Sequence, residues 1–282
     1  MTEILKIPSP TWFVGAGNMG GAIIDGWRAG GLDLSPLTAI DPAGKSIEGV
    51  RSVLSPAEAG PAPRLVVLGF KPQKLDEVAA GLAPLLSAET VVVSILVGVE
   101  AASLRRRFPE AGAIIRAAPN LPVAIRRGVT GLYGEALDEP VKQQVGDLFA
   151  ALGFAMWMVD EDKLAALSSV AGAGPAYVAR FIAALAKAGQ ARGLSAETAA
   201  TVALETVLGT AWMAATTNEN MQSIAKRVAS PNGTTEAGLA VLDHNAVLDE
   251  LIALTIDAAA KRGAELAELA KMPSLEEGAS LH

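Results

Sequence analysis

The stretch that decides the fold is Thr11-Trp-Phe-Val-Gly15-Ala-Gly-Asn-Met-Gly20. Its first four residues predict a buried strand, and an apolar helical face that reaches Trp27 follows the glycines. A glycine fingerprint between a strand and a helix is typical of a dinucleotide site. Gly15 permits the tight turn, Gly17 lets the backbone approach a pyrophosphate, and Gly20 lets helix and strand pack closely. We expect the pyrophosphate at the helix N-terminus, where unpaired N–H groups favour an anion.

The second predicted strand, residues 37–40, leaves the cofactor type open. It is followed by Asp41, 26 residues after Gly15, a little later than the usual spacing of about 20. A carboxylate there accepts hydrogen bonds from ribose hydroxyls and repels a 2′-phosphate, which favours NADH. Lys45 is close enough in sequence to offset that repulsion, and Asp41-Pro42 is also typical of a plain turn. NADPH and NADH both remain candidates.

Strands continue to alternate with helices as far as residue 159. Residues 64–69 and 90–95 are apolar, β-branched runs, which suit parallel strands covered on both faces. The pattern predicts further strands over 113–116, 129–133 and 155–159, and helices over 73–86 and 140–152. Such alternation implies right-handed βαβ units and an open parallel sheet. We therefore predict an α/β fold with a Rossmann-type doubly wound parallel sheet over residues 1–162.

The strand signal ends at about residue 163. Long, Ala-rich, amphipathic patterns cover 176–192, 196–216 and 248–271, with Ser195 as a predicted helix cap. These patterns predict an all-helical second domain over residues 163–272, followed by a tail over 273–282. Helices this apolar on all sides need more partners than one small domain offers. We therefore predict a homodimer built through this half.

Composition excludes several classes of function. The 282 residues include no cysteine, so disulfides, a thiolate nucleophile and Cys-ligated metals are excluded, and the two histidines cannot form a three-His site. We predict no metal. The net charge of −7 disfavours nucleic acid and anionic membranes as partners. Residues 91–99, the most apolar stretch, are too few to span a bilayer, and the first ten residues do not form a secretory signal. These features predict a cytoplasmic protein.

The supply of proton donors restricts the chemistry. A nicotinamide cofactor implies hydride transfer, and reducing a ketone would also need an acid at the developing alkoxide. His282 lies in the predicted tail, and His244 lies in a polar turn, so neither is well placed as that acid. This scarcity favours a substrate that arrives already protonated. An imine fits, because hydride addition to an iminium needs mainly positioning.

A second informative stretch is Val228-Ala-Ser-Pro-Asn-Gly-Thr-Thr-Glu-Ala-Gly238. Ser230 is a suitable helix cap, Gly233 helps to shape a turn, and a helix is predicted from Thr234 to residue 242. Such a turn presents several N–H groups and hydroxyls to one point, which suits a carboxylate. A plain helix cap is the alternative interpretation.

Five motifs, in this order, resemble those of the pyrroline-5-carboxylate reductase family, and the resemblance extends from Phe13 to about Lys271. They are Gly15-Ala-Gly-Asn-Met-Gly-Gly-Ala-Ile23, Phe70-Lys-Pro-Gln73, Arg116-Ala-Ala-Pro-Asn-Leu-Pro122, Gly172-Ala-Gly-Pro-Ala-Tyr177 and Ser230-Pro-Asn-Gly-Thr-Thr235. The resemblance implies a Rossmann domain, a helical dimerisation domain and often rings of dimers. It also implies reduction of 1-pyrroline-5-carboxylate to L-proline with NADPH or NADH, the last step of proline biosynthesis.

The resemblance also implies roles for single residues. Those expected to line the cofactor are Gly15, Ala16, Gly17, Asn18, Met19, Gly69, Phe70, Lys71 and Pro72, to which the sequence itself adds Asp41. Those expected at the substrate are Asn120, near the nicotinamide, and Ser230, Gly233, Thr234 and Thr235. The hydroxyl of Thr235 is expected near the imine nitrogen and is the catalytic candidate. Glu161, at the domain junction, is also expected to face the site.

Three residues depart from the family pattern. Asn232 stands where Gly is usual, Ala173 where Ser is usual, and Ala118 where Met is usual. Asn tolerates a positive φ better than most residues, so we expect the turn at Asn232 to survive.

Two other functions remain open. A related two-domain enzyme, such as a 3-hydroxyacid dehydrogenase, would need a helix-borne lysine as acid and base, for which Lys163 and Lys187 are the candidates. The other possibility is a non-catalytic nucleotide-binding protein.

Overall fold

The first half of the chain folds into one eight-stranded sheet in the computed structural model, which describes residues 5–271. Its strands are β1 (Thr11–Val14), β2 (Leu37–Ile40), β3 (Arg51–Val53), β4 (Leu65–Leu68), β5 (Val91–Ser94), β6 (Ala113–Pro119), β7 (Gly128–Tyr133) and β8 (Gly153–Trp157). Their spatial order is β3-β2-β1-β4-β5-β6-β7-β8. The chain therefore reverses its direction of travel between β1 and β4, the switch point of a doubly wound sheet. The predicted fold class is confirmed.

Four helices cover the two faces of this sheet: α1 (Asn18–Ala29), α2 (Leu75–Leu82), α3 (Ala101–Arg107) and α4 (Glu139–Ala150). Side chains of β1 alternate between two apolar clusters, with Phe13 in the cluster of α1 and α4 and Trp12 in that of α2 and α3. The Trp27 indole N–H donates to the Leu148 carbonyl at 2.9 Å and so joins α1 to α4. Burial on both faces explains why these strands are continuously apolar.

The structure differs from the sequence-based expectation at two places in the sheet. The edge strand β3 was not expected, because it has three residues and two of them are exposed. Strands β6 and β7 are antiparallel, whereas the other pairs are parallel. Only a short 3-10 turn, Leu121–Ile125, connects β6 to β7, and a parallel pair needs a much longer crossover.

The rest of the chain is helical. The helices are α5 (Glu161–Leu167), which continues through a π-helical turn (Ser168–Gly172), then α6 (Gly174–Ala191), α7 (Ala196–Thr217), α8 (Met221–Val228), α9 (Thr234–Leu242) and α10 (Val247–Lys271).

The chain forms two compact units. One is Gly174–Ala258, and the other runs to Ala173 and resumes at Ala259. The end of α10 therefore belongs with the sheet, and Ala270 packs against the cluster of α2 and α3. The predicted functional boundary after residue 162 stays a prediction, and the predicted tail lies outside the described residues.

The unit of residues 174–258 buries little apolar surface within one chain. Helices α6 and α7 pack through Ala186, Ala199 and Ala203, and the predicted cap at Ser195 is confirmed because its hydroxyl accepts the Thr198 N–H. Larger side chains remain open to solvent, with Phe181 53%, Leu208 54% and Trp212 55% exposed. Exposed apolar area of this kind marks an interaction surface.

Length and composition alone would allow one described helix to cross a membrane. It is the continuous helix Glu161–Ala191, 31 residues long with a mean hydropathy of 1.3. The expectation of no such segment considered only residues 91–99, and it missed this helix. One such helix is weak evidence for a membrane span, because core helices of soluble proteins can have the same length and hydropathy.

Candidate active site

The glycine-rich turn after β1 packs against the turn after β4. Gly15 has φ +86°, and a Cβ built on it would lie 2.8 Å from both Cβ and N of Phe70. The Gly69 N–H also donates to the Val14 carbonyl at 2.8 Å. Gly15 is therefore required both for its left-handed backbone and for the close approach of these turns. The structure thus brings together the two segments expected to line a cofactor.

The N-terminus of α1 fits a pyrophosphate. Gly17 is its N-cap in an extended conformation, and among residues 5–271 no side chain caps it and no acidic residue lies in the first turn. A Cβ on Gly17 would meet only the Gly69 carbonyl oxygen at 3.8 Å, so the space in front of the helix is open. Asn18 is exposed, Met19 is half-buried and Ala16 is buried. The positive end of the helix dipole is thus available to an anion.

Gly20 is required for packing. A Cβ there would lie 2.7 Å from Cε1 of Phe13 and 2.8 Å from the Gly15 carbonyl oxygen. This contact lets α1 approach β1, and it confirms the packing expected of the third glycine.

Asp41 and Lys45 hold the same residue of the glycine-rich turn. The Asp41 carboxylate accepts the Ala43 N–H at 2.9 Å through one oxygen and the Ala16 N–H at 3.3 Å through the other. The Lys45 ammonium donates to the Ala16 carbonyl at 2.8 Å. A negative and a positive side chain therefore lie together at the end of β2. The turn at Asp41 is present and Lys45 lies beside it, while their effect on the choice between NADPH and NADH stays a prediction.

The segment after β4 lies at the carboxyl edge of the same sheet. Phe70 and Pro72 are half-buried, and Lys71 is exposed and extended ahead of a 3-10 turn, Pro72–Lys74. Ligands of doubly wound sheets bind at this edge near the switch point.

Asn120 holds two parts of the backbone together. It is 6% exposed, and its side-chain oxygen accepts the Val129 N–H at 2.8 Å while its amide donates to the Ala171 carbonyl at 3.0 Å. Ala171 lies in the π-helical turn, a feature frequent at functional sites. This bridging was not expected from the sequence, because Ala171 is 51 residues away. The role of Asn120 at the substrate stays a prediction.

Glu161 forms an ion pair that was not expected from the sequence. It contacts Arg116 at 2.5 Å, with side chains 27% and 14% exposed, and accepts the Ala101 N–H at 2.9 Å. It therefore ties the start of α5 to β6 and α3. Across β6 and β7, Tyr133 is in register with Arg116. The pKa of Tyr133 is raised to about 12. The main cause is the hydrogen bond that its hydroxyl donates to Glu135, followed by burial and by nearby carboxylates.

In the other unit, Ser230 to Thr235 form a tight turn into α9. Asn232 has φ +59°, as its tolerance of a left-handed backbone leads us to expect. The Gly233 N–H donates to the Ser230 carbonyl at 3.0 Å. Gly233, and not Ser230, is the N-cap, so the predicted cap was wrong. A Cβ on Gly233 would lie 2.4 Å from the Ser230 hydroxyl oxygen, so the serine side chain occupies the space beside the N-cap.

The threonines of this turn begin α9. Thr234 is exposed and Thr235 is half-buried. Within residues 5–271, no side chain caps the N-terminus of this helix. Backbone N–H groups and two hydroxyls at a helix start can bind a carboxylate.

The other predicted sites receive little support. Lys163 and Lys187 are exposed, as solvated helix residues are. The described residues hold no cluster of three or more His, Cys, Asp or Glu side chains that could bind a metal.

Two family models match the chain. The one described as pyrroline-5-carboxylate reductase dimerisation matches residues 161–266, and the one described as coenzyme F420-dependent NADP oxidoreductase matches residues 12–98. A pyrroline-5-carboxylate reductase of Pseudomonas aeruginosa is 39% identical over 91% of this chain and 96% of its own.

Solved structures are similar as well. A pyrroline-5-carboxylate reductase of Coxiella burnetii has a TM-score of 0.83 and 32% identity, over 93% of this chain and 99% of that one. The Plasmodium falciparum pyrroline carboxylate reductase, solved with NADP bound, has a TM-score of 0.81 at 24% identity, over 95% of this chain and all of its own. At that identity the second match supports the fold alone.

Proposed function

Because this chain belongs to the pyrroline-5-carboxylate reductase family, we infer that it reduces 1-pyrroline-5-carboxylate to L-proline with NAD(P)H. This is the last step of proline biosynthesis. The N-terminus of α1 is the structural observation that supports cofactor binding. It is open, and among the described residues it has neither an acidic first turn nor a side-chain cap.

The protein's own residues have separate tasks in this proposal. The bound nicotinamide supplies the hydride. The first turn of α1 binds the pyrophosphate, and Gly69 and the three residues after it line the cofactor at the carboxyl edge of the sheet. Asp41 and Lys45 meet the adenosine ribose. Asn120 positions the backbone around the site, consistent with its two hydrogen bonds.

The substrate is assigned to the turn that starts α9. Its carboxylate is bound by the N–H groups and hydroxyls of Ser230, Gly233 and Thr234, and the Thr235 hydroxyl lies at the imine nitrogen. The imine arrives protonated, so hydride addition to its carbon gives the amine without a proton from the enzyme. Thr235 therefore orients the nitrogen and is not a general acid. The half-burial of Thr235, compared with exposed Thr234, supports this choice.

The test removes only the hydroxyl of Thr235. Thr235→Val keeps the shape and is expected to lower kcat by about ten-fold or more, the value of one well-aligned hydrogen bond, with little change in cofactor affinity. Thr235→Ser restores the hydroxyl and is the matched control. The measurement is oxidation of the reduced cofactor with pyrroline-5-carboxylate. Equal loss of turnover and cofactor affinity, or no loss at all, contradicts the assigned role.

We also propose that the chain works as a homodimer. The family match over residues 161–266 lies close to the proposed helical domain of residues 163–272. The exposed apolar side chains of α6 and α7 give a partner surface to cover, and a partner would also shield the apolar helix that ends at Ala191. Location in the cytoplasm fits this proposal. Light scattering should give twice 28.8 kDa. A larger even multiple would indicate a ring of dimers, whereas a monomer would contradict the proposal.

A further inference from the structure

The turn that starts α9 is held by a side chain with no role in the function proposed so far. The backbone N–H of Asn232 donates to Oε2 of Glu236 at 2.6 Å. Asn232 has φ +59°, the left-handed region that only glycine enters without a steric cost. A residue in that conformation needs a specific contact to keep it there.

The position of Glu236 in the helix is informative. It is the third residue of α9, and in a capping box a glutamate at that position bonds the N–H of the N-cap itself. Here the N-cap is Gly233, whose N–H is already donated to the Ser230 carbonyl at 3.0 Å. Glu236 reaches one residue further, to Asn232. The turn is therefore fixed by two adjacent bonds, made by the N–H groups of the two peptides that flank the Asn232 Cα.

This arrangement has a consequence for an anionic ligand. A carboxylate without a partner in the first turn of α9 would compete with a substrate carboxylate for the helix N–H groups. Accepting the Asn232 N–H commits one oxygen of Glu236 to the loop. This hydrogen bond holds the shape of the turn, and the carboxylate oxygen that accepts it is occupied by the Asn232 N–H.

We propose that Glu236 is a positioning residue for the substrate carboxylate. It acts as a hydrogen-bond acceptor that holds the backbone of Asn232 in the left-handed conformation. It is neither a proton donor nor an electrostatic partner of the imine. The proposal rests on the assignment of this turn to the substrate.

Two substitutions distinguish the role of Glu236 as a hydrogen-bond acceptor from the role of its negative charge. Glu236→Gln keeps an oxygen acceptor and loses the charge, so the KM for pyrroline-5-carboxylate should stay within about two-fold of the wild-type value. Glu236→Ala loses both, so that KM should rise about ten-fold, as expected for one lost hydrogen bond of a charged group, with a smaller change in kcat and none in the cofactor KM. Glu197→Ala, in the first turn of α7, is the matched control and should leave all three constants unchanged.

A double variant tests the left-handed backbone directly. Glycine adopts a positive φ freely, so Asn232→Gly in the Glu236→Ala background should recover part of the lost substrate affinity. Rescue also keeps the test decisive if Glu236→Ala alone folds poorly, which circular dichroism would show. A purely structural role for Glu236 would lower the melting temperature without a selective rise in substrate KM.

The outcomes are distinct. Selective loss in Glu236→Ala, retention in Glu236→Gln and rescue by Asn232→Gly support the proposal. Equal loss in Glu236→Ala and Glu236→Gln would show that charge matters and would overturn it. So would an unchanged Glu236→Ala or the absence of rescue. Absence of turnover by the wild-type protein would instead reject the function on which the proposal rests.

Discussion

Cofactor choice is expected to depend on two opposite charges at the end of β2. Asp41 and Lys45 both bond Ala16, through its N–H at 3.3 Å and its carbonyl at 2.8 Å. A 2′-phosphate placed at this end of the site would feel both side chains. We therefore predict that Asp41→Asn favours NADPH, that Lys45→Gln favours NADH, and that the double variant returns close to the wild-type ratio.

The size of the effect follows from charge and distance. Two unit charges about 4 Å apart interact by about 1 kcal/mol in water. A phosphate monoester carries about two negative charges at neutral pH, so each side chain changes its binding by about 2 kcal/mol. That corresponds to roughly thirty-fold in the ratio of kcat/KM for the two cofactors. Lys45 is exposed and Asp41 is half-buried, so the effect of Lys45 should weaken more with salt.

The assay is kcat/KM for NADPH and NADH at low and high ionic strength, with pyrroline-5-carboxylate saturating. Lys6→Gln is the matched control, because Lys6 is exposed and lies ahead of β1, whereas the cofactor turns follow the strands. A change by the same factor for both cofactors in either charge variant would refute the electrostatic reasoning. It would instead indicate that the residue only holds the turn.

Further predictions concern packing and titration. Gly20→Ala should lower the urea midpoint and weaken cofactor binding, because its Cβ would lie 2.7 Å from the ring of Phe13. At Gly21 an added Cβ would have no described atom within 4 Å apart from its chain neighbours and the backbone of its own helix. Gly21→Ala should therefore stabilise the fold by about 0.5–1 kcal/mol through helix propensity, and equal urea midpoints for the two variants would contradict this reasoning. The chain has two tyrosines, so tyrosinate absorbance of folded Tyr177→Phe reports Tyr133 alone and should titrate at about 12. Because the pKa of Tyr133 is raised on folding, its contribution to the free energy of unfolding is present below pH about 10 and is lost as the pH rises through about 12. Titration of Tyr133 near pH 10 would count against the hydrogen bond to Glu135.

The sequence predicts those parts of the fold that have strong local patterns. The strand before Gly15 is buried along its whole length and leads directly into the glycines. The helix after it has one apolar face and ends at Gly30, so both elements could be identified from the sequence. Strand β3 has only three residues and an exposed surface, so no local pattern identifies it. The antiparallel pairing of β6 and β7 follows from the short connection between them. The residues of the two strands do not themselves distinguish antiparallel from parallel pairing.

The site residues also divide into those with a local sequence pattern and those whose partners are distant in the sequence. The glycine fingerprint is local and its packing roles were predictable. The partners of Glu161 lie 45 and 60 residues away, at Arg116 and Ala101, so this network required the folded chain. The bond between Glu236 and Asn232 spans only four residues, and a glutamate near a helix start was a visible signal for it.

A motif that identifies a family mixes residues that hold the backbone with residues that touch a ligand, and Asn120 shows why the two must be separated. Its oxygen is used by the Val129 N–H and one amide hydrogen by the Ala171 carbonyl. A side-chain amide has two donors, so one N–H remains for a ligand. Replacing Asn120 would therefore disturb β7 and the π-helical turn as well as any substrate contact. Loss of activity in such a variant would not by itself place Asn120 at the substrate, whereas a selective loss at Thr235 with an intact fold would identify a residue of the chemistry.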